Sequence, residues 1–250
     1  MLNIFRKKDN GKEQPWGFSV TTDIHSHILP GIDDGSPDID TSLKLIKGLY
    51  ELGIRKAVAT PHIIGDLYRN TAETITVALE KIKPACINAG IDMELSAAAE
   101  YMLDDYFMDL LHHKVPLLTL HKNLVLTEIS YTTAPHNLDE MAFNIITEGY
   151  QPVMAHPERY FYFHKDFEEY YRLKELGFHL QVNLLSLTGY YGKTVAKAAK
   201  YILDKDLAAL VGTDLHHGRH LAALQNADSR MLFNKYLSSK KYNDLDALLI

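Results

Sequence analysis

The sequence has 250 residues, near-average apolar and charged content and a formal charge of −6, a size that suits one large α/β domain. Without a long basic block, nucleic acid is a poor partner, and any recognition of an anion must be local. A single cysteine, Cys86, excludes a disulfide-stapled secreted fold and fits the cytoplasm, and no apolar run is long enough for a signal peptide or a membrane span.

Residues 1–17 read as an N-terminal tail and 18–250 as one domain. In the tail, Ile4 and Phe5 followed by Arg6, Lys7 and Lys8 would give at most weak peripheral contact with an anionic membrane surface. Onward from Phe18, short β-branched or apolar runs alternate with longer amphipathic stretches, the pattern of repeated βα units. Seven strands are predicted, over residues 19–25, 56–62, 92–100, 124–129, 152–156, 179–183 and 208–214. The helices between them have readable ends. Leu43, Ile46, Leu49 and Tyr50 share a face that Gly53 terminates. Asn137 with Glu140, and Asp166 with Glu169, resemble capping pairs, with Gly149 and Gly177 as the matching stops. Seven such units without a hairpin signal favour a distorted, TIM-like (β/α)7 barrel, with an open doubly wound sheet as the alternative.

The metal-capable side chains fall at the C-terminal ends of these strands. His25 and His27 end the first, Asp33 and Asp34 follow in its loop, and His62 ends the second. Glu100 ends the third, Glu128 the fourth, His156 the fifth, and Asp214 with His216 the seventh. In a parallel barrel these ends meet on one face, where active sites are built. A lone His-x-His is commonplace, but period-two alternation aims both imidazoles of His25-Ser26-His27 at the same side. Glu100 and Glu128 each close an apolar strand with no basic neighbour in their segments, so an ion pair with Lys or Arg explains them less well than a bound cation. Mixed imidazole and carboxylate donors without thiolate suit manganese, zinc or iron(II). Nine candidate ligands, His25, His27, Asp34, His62, Glu100, Glu128, His156, Asp214 and His216, are enough for about two or three divalent ions with bridging groups. Such ions acidify water for in-line attack on phosphorus, without a cysteine nucleophile.

The stretches Asp23-Ile-His-Ser-His-Ile-Leu-Pro-Gly-Ile-Asp-Asp-Gly35, Ala59-Thr-Pro-His62, Leu126-Thr-Glu128, Ala155-His-Pro-Glu-Arg-Tyr160, Gln181-Val-Asn183 and Gly212-Thr-Asp-Leu-His216, together with Glu100, carry a resemblance. Over most of its length the chain resembles the polymerase and histidinol phosphatase superfamily, and within it the bacterial protein-tyrosine phosphatases of capsule and exopolysaccharide operons. The resemblance implies a three-metal cluster, often supported by manganese, that hydrolyses phosphotyrosine on the tail of a cognate bacterial tyrosine kinase. It implies His25, His27, Glu100 and Asp214 at a first site, Glu100, Glu128 and His156 at a second, and Asp34, His62 and His216 at a third. Arg159 is the phosphate-binding arginine by the same resemblance, a role suited to a planar bidentate donor. Arg219, three residues beyond His216, is a second candidate, and His216 could also act as an acid. Ile63 and Ile64 depart from the polar or basic residues the resemblance would place after His62.

Two other functions compete. A small-molecule phosphatase acting on a histidinol-phosphate-like ester would share the metal site and differ in pocket depth. A non-catalytic kinase-binding module would need a closed structural metal site, which the surplus of donors and Arg159 oppose. Tyr160, Tyr162, Tyr170 and Tyr171 read as packing residues, and Tyr190-Tyr191 as a turn near the site. His112, His113, His121, His136, His164, His179, His217 and His220 read as non-ligands.

Overall fold

Most strands among the described residues are short and largely buried on both faces, as expected where helices cover a parallel sheet; all five residues of Leu124–Glu128 are buried, whereas Glu94–Ala97 is partly exposed. The computed structural model describes residues 20–238 and 240–249, so the tail reading lies outside the described residues. Nine strand segments and eight α-helices alternate along these residues: β1 (Thr22–Asp23), α1 (Ile39–Glu51), β2 (Lys56–Ala59), β3 (His62–Ile63), α2 (Ala72–Asn88), β4 (Glu94–Ala97), β5 (Glu100–Met102), α3 (Asp105–His112) and β6 (Leu124–Glu128) come first. Then follow α4 (Leu138–Thr147), β7 (Gln151–Ala155), α5 (Glu169–Glu175), β8 (His179–Asn183), α6 (Lys193–Asp204), β9 (Ala208–Gly212), α7 (Gly218–Gln225) and α8 (Ala227–Leu237).

The nine segments occupy seven staves, because two of the predicted strands are broken. Residues 56–62 divide into β2 and β3 around Pro61, which has no N–H for a ladder. Residues 92–100 divide into β4 and β5 at the same level. One three-stranded sheet therefore runs β1-β2-β4 and one six-stranded sheet runs β3-β5-β6-β7-β8-β9, every pairing parallel. Across the break, Ala98 N donates to Ala59 O and Glu100 N to Pro61 O. The other seam joins first stave to last through the parallel bridge Ser26–Leu215, with His27 N donating to Leu215 O at 3.0 Å and Asp214 N to His25 O at 2.8 Å. Buried Asp23 fastens that seam by accepting from Thr213 Oγ1 at 2.6 Å and Thr213 N at 3.0 Å. The result is a barrel-like arrangement of two parallel sheets with interrupted ladders, in which a single bridge joins first stave to last.

Two apolar layers follow from strand alternation. Ile24, Val58, Ala98, Leu126, Val153 and Leu210 form part of an inner cluster drawn from six of the seven staves. A larger cluster lies between strands and helices and contains Leu180 and Val182 of β8. Those two residues face the helices, so Gln181 and Asn183, of opposite parity, face inward. Helix α1 ends as expected, with Gly53 at φ 97° after Leu52. Two capping expectations fail. Asn137 precedes α4 without a side-chain cap bond, because its ψ of 31° is not the extended backbone a cap needs, and α5 starts at Glu169 after Glu168, with Asp166 accepting from Glu168 N instead.

Candidate metal centre

Strand ends deliver nine side chains to one point. Glu100, fully buried, is its centre: Oε2 lies 3.2 Å from His25 Nε2, 3.3 Å from His27 Nε2 and 3.2 Å from His62 Nδ1, and Oε1 lies 3.1 Å from His156 Nε2. Glu128 Oε1 approaches His62 Nδ1 at 2.9 Å. Asp214 Oδ1 lies 3.4 Å from His25 Nε2 and 3.3 Å from His216 Nδ1. Asp34, with 52% of its side chain exposed, faces His62 Nε2 at 3.5 Å and His216 Nε2 at 3.6 Å.

The donors fit divalent cations on physical grounds. His62 Nδ1, Glu100 Oε2 and Glu128 Oε1 are buried and have no hydrogen-bond partner, and these residues form one of four groups whose donor atoms lie within 4.8 Å of one another. These oxygens face imidazole nitrogens at ion-pair distance without a hydrogen bond between them, and a cation among them would offset the desolvation cost of the buried carboxylates. No Lys or Arg meets Glu100 or Glu128 among the described residues; their close partners are histidines. The other groups are His27, Asp34, His62 and His216; His25, His27 and Glu100; and His25, His156 and Asp214. Membership thus differs from the ligand sets implied by resemblance: His62 joins Glu100 and Glu128, while His156 groups with His25 and Asp214.

A supporting shell sets which nitrogen each imidazole presents. Asp214 Oδ2 can only accept, so Asn183 Nδ2 donates to it at 2.7 Å. Asn183 Oδ1 then accepts from Gln181 Nε2 at 2.9 Å, which leaves Gln181 Oε1 to accept from His25 Nδ1 at 2.7 Å. His25 Nε2 is thereby turned to the cluster. His27 Nδ1 donates to Asp33 Oδ2 at 2.8 Å and His216 Nδ1 to Asp214 O at 2.9 Å, which orients their Nε2 atoms in the same way. Asp33 also accepts from Gly35 N, and Asn70 donates to the carbonyls of Ile32 and His62, so the loop carrying Asp33 and Asp34 is tied to β3. A Cβ on Gly35 would fall on His27, and one on Gly212 would meet His25 Cβ at 2.6 Å, so both backbones reach these ligands only as glycine. His156 and Asp214 hold φ of 34° and 49°, left-handed conformations that cost non-glycine residues about 1–3 kcal/mol and concentrate at functional sites. Asp33→Ala or Gln181→Ala should weaken metal affinity about 10–100-fold, the usual cost of losing such a partner, with the fold intact by circular dichroism; unchanged affinity in both would remove the orienting role.

Charge in the metal-free cluster is redistributed. Burial disfavours the His25 imidazolium, but the Glu100 and Asp214 carboxylates outweigh it and raise His25 to about 9. In His62, burial is likewise outweighed, by Glu100, Glu128 and Asp34, and the value rises to about 10. Burial pushes Glu100 up, yet His25, His62 and His156 together hold it well below the carboxylate range. Because a coordinating imidazole must be neutral, cation uptake at pH 7 should expel protons from His25 and His62, and apparent affinity should rise with pH towards 9–10. Loading stripped protein in weak buffer with a pH indicator reads this directly; uptake without acidification would contradict it.

The cluster opens into a cleft of about 270 Å³ lined by Asp34, His62, Glu128, His156, Asp214 and His216, and also by Tyr131, Arg159, Tyr191, His217 and His220. Arg159 donates from Nη1 to Asp214 Oδ2 at 2.8 Å, and its guanidinium lies 4.9 Å from the Tyr131 ring centre and 4.4 Å from that of Tyr191. Glu158 beside it is buried and accepts from Asn183 N and Ser186 Oγ, which anchors the Arg159 turn to β8. Arg219 is exposed in the first turn of α7 and is not among the residues that line the cleft. In its place stand His217, which caps α7 by accepting from His220 N, and His220, whose Nδ1 accepts from His216 N. Tyr160 and Tyr170 are fully buried, in keeping with a packing role, and Tyr162 stacks on Tyr160.

A parallel, barrel-like α/β frame with five histidines and four carboxylates converging at its strand ends defines an α/β protein with a candidate polynuclear metal centre. The chain belongs to the capsular polysaccharide synthesis family CpsB/CapC, whose family model matches residues 21–244. It is 29% identical over 197 residues to the tyrosine-protein phosphatase YwqE of Bacillus subtilis (strain 168), covering 78% of this chain and 77% of the relative. It is 28% identical over 201 residues to the tyrosine-protein phosphatase CpsB of Streptococcus pneumoniae, covering 78% and 82%. Its fold matches a solved structure from work on YwqE and CpsB, described there as metal-dependent tyrosine phosphatases, with TM-score 0.74 and 24% identity over 88% of this chain and 95% of the other. Histidinol phosphate phosphatase of Lactococcus lactis, solved with zinc, L-histidinol and phosphate, shares the fold at TM-score 0.53 and 12% identity over 89% and 93%. Among the described residues no helix is long and apolar enough to cross a membrane.

Proposed function

We propose that this chain is a cytoplasmic, metal-dependent protein-tyrosine phosphatase acting on the phosphorylated tail of a bacterial tyrosine kinase that controls capsular or exopolysaccharide synthesis. The observation that carries the proposal is the buried cluster around Glu100, with three unpartnered donor atoms, opening onto a cleft that holds Arg159. The relatives' names as tyrosine-protein phosphatases support it. His25, His27, Asp34, His62, Glu100, Glu128, His156, Asp214 and His216 are the proposed ligands of two or three ions, with manganese the proposed metal. Divalent cations held there supply acidified water and Lewis acidity towards phosphoryl oxygens.

The chain's own residues do the rest. Glu100, whose two oxygens reach different imidazoles and which belongs to two of the close donor groups, would be the residue that most of the other ligands share. Arg159 keeps one nitrogen on Asp214 and has four other N–H donors for a phosphoryl group, with its guanidinium over the rings of Tyr131 and Tyr191. His216 serves as ligand rather than acid, because its Nδ1 proton is committed to Asp214 O and its Nε2 faces Asp34. A phenolate leaving group, from a phenol of pKa about 10, needs little protonation.

The test is phosphate release from a phosphotyrosine peptide and from histidinol phosphate, with stripped protein restored with manganese. Manganese-dependent turnover of the peptide supports the proposal. Turnover of histidinol phosphate alone would replace it with a metabolic phosphatase, and turnover of neither would point to a binding module.

A further inference from the structure

A second recess, of about 210 Å³, lies against the metal cleft and is lined by Tyr131, Arg159, Phe161, Tyr191 and Val195. Tyr131, Arg159 and Tyr191 line both cavities, so the two share a wall that contains the guanidinium. From this arrangement we infer that the recess is a subsite for an aromatic ring carried on the phosphoryl group, and that Phe161 is a specificity determinant for aryl over alkyl phosphate esters. The inference rests on the phosphatase reading and adds to it where the leaving group sits.

Three features of the recess select a ring. Its size is sufficient, because a dry cavity of about 150 Å³ already accommodates benzene. Its chemistry is one-sided: three aromatic side chains and a valine line it with one arginine, and no carboxylate or amide does. A cationic leaving group would meet the like charge of Arg159 in the same wall, whereas an aromatic ring meets ring faces and edges. Phe161 is also exposed beyond what packing requires. It sits two residues after Arg159 in a short 3-10 turn, 60% exposed, with one ring neighbour, His164, at 5.3 Å among the described residues. Nearby Tyr160 and Phe163 of the same segment are buried. A phosphoryl group on the free N–H donors of Arg159 therefore has an aromatic wall beside it.

Non-hydrolysable ligands separate ring binding from leaving-group reactivity. Titration calorimetry on manganese-loaded full-length protein would compare phenylphosphonate with methylphosphonate. Phenylphosphonate should bind about fivefold to tenfold tighter, as expected for added aromatic contact. Phe161→Ala should abolish that preference while leaving methylphosphonate affinity unchanged, and Phe161→Leu should retain part of it. Equal affinity of the two ligands for the native protein would overturn the inference, as would an equal loss for both in Phe161→Ala. Failure of the phosphatase reading shows differently, as absent turnover of phosphate esters whatever the ratio of phosphonate affinities.

Discussion

Glu100→Ala is expected to lose bound metal and to reduce turnover by more than about a hundredfold, beyond the range seen when only an outer partner of a ligand is removed. The carboxylate is fully buried, touches four imidazoles, and belongs to two of the four close donor groups. No other side chain replaces both of its oxygens. Removing it also leaves His25 and His62 without a carboxylate that helps to raise them, so the variant should bind the remaining ions with less proton release. Metal analysis by plasma emission together with phosphate release decides the matter. Native metal content and native turnover in Glu100→Ala would sink the cluster as the source of activity.

Arg159→Ala is expected to act on substrate and leave the ions in place. Asp214 loses one donor but keeps Asn183 Nδ2, so metal content should stay native. Engagement of the phosphoryl group should weaken, with kcat/KM lower by about 10²–10³-fold, the usual cost of one charge-stabilising donor. Inhibition by inorganic phosphate should weaken in parallel. Arg159→Lys should not restore function, because an ammonium cannot bond Asp214 and a phosphoryl group in one plane or stack between Tyr131 and Tyr191. Loss of metal in either variant would instead make Arg159 a structural prop of Asp214.

The metal-capable residues were legible in the sequence because their types stand out at strand ends, and parallel strands carry all such ends to one face. His25 and Asp214, 189 positions apart, needed no contact prediction to be placed together. Gln181 and Asn183 were visible as motif residues, yet their role depends on inward parity in β8 and on the seam between first and last staves, which local pattern does not encode. Alternation of polar, apolar and polar residues in a buried strand was the available signal. The strand over 56–62 was read as unbroken although Pro61 was a signal for its break; the break between β4 and β5 had none, since no proline or glycine marks it. The placement of Arg219 was not readable, because nearness to His216 in sequence says nothing about α7, which begins at Gly218 and leaves Arg219 exposed while His220 is buried. Tyr131 and Tyr191 are loop residues whose value comes from packing on Arg159, and only coordinates reveal that.

Stepwise addition of manganese to fully stripped protein, with phosphate release from a phosphotyrosine peptide followed at each step, tests the central claim most directly. Turnover should be absent at the start and should rise to a plateau at two or three ions per chain, the number the nine donors can hold. Equal turnover in the stripped protein, verified metal-free, would contradict it.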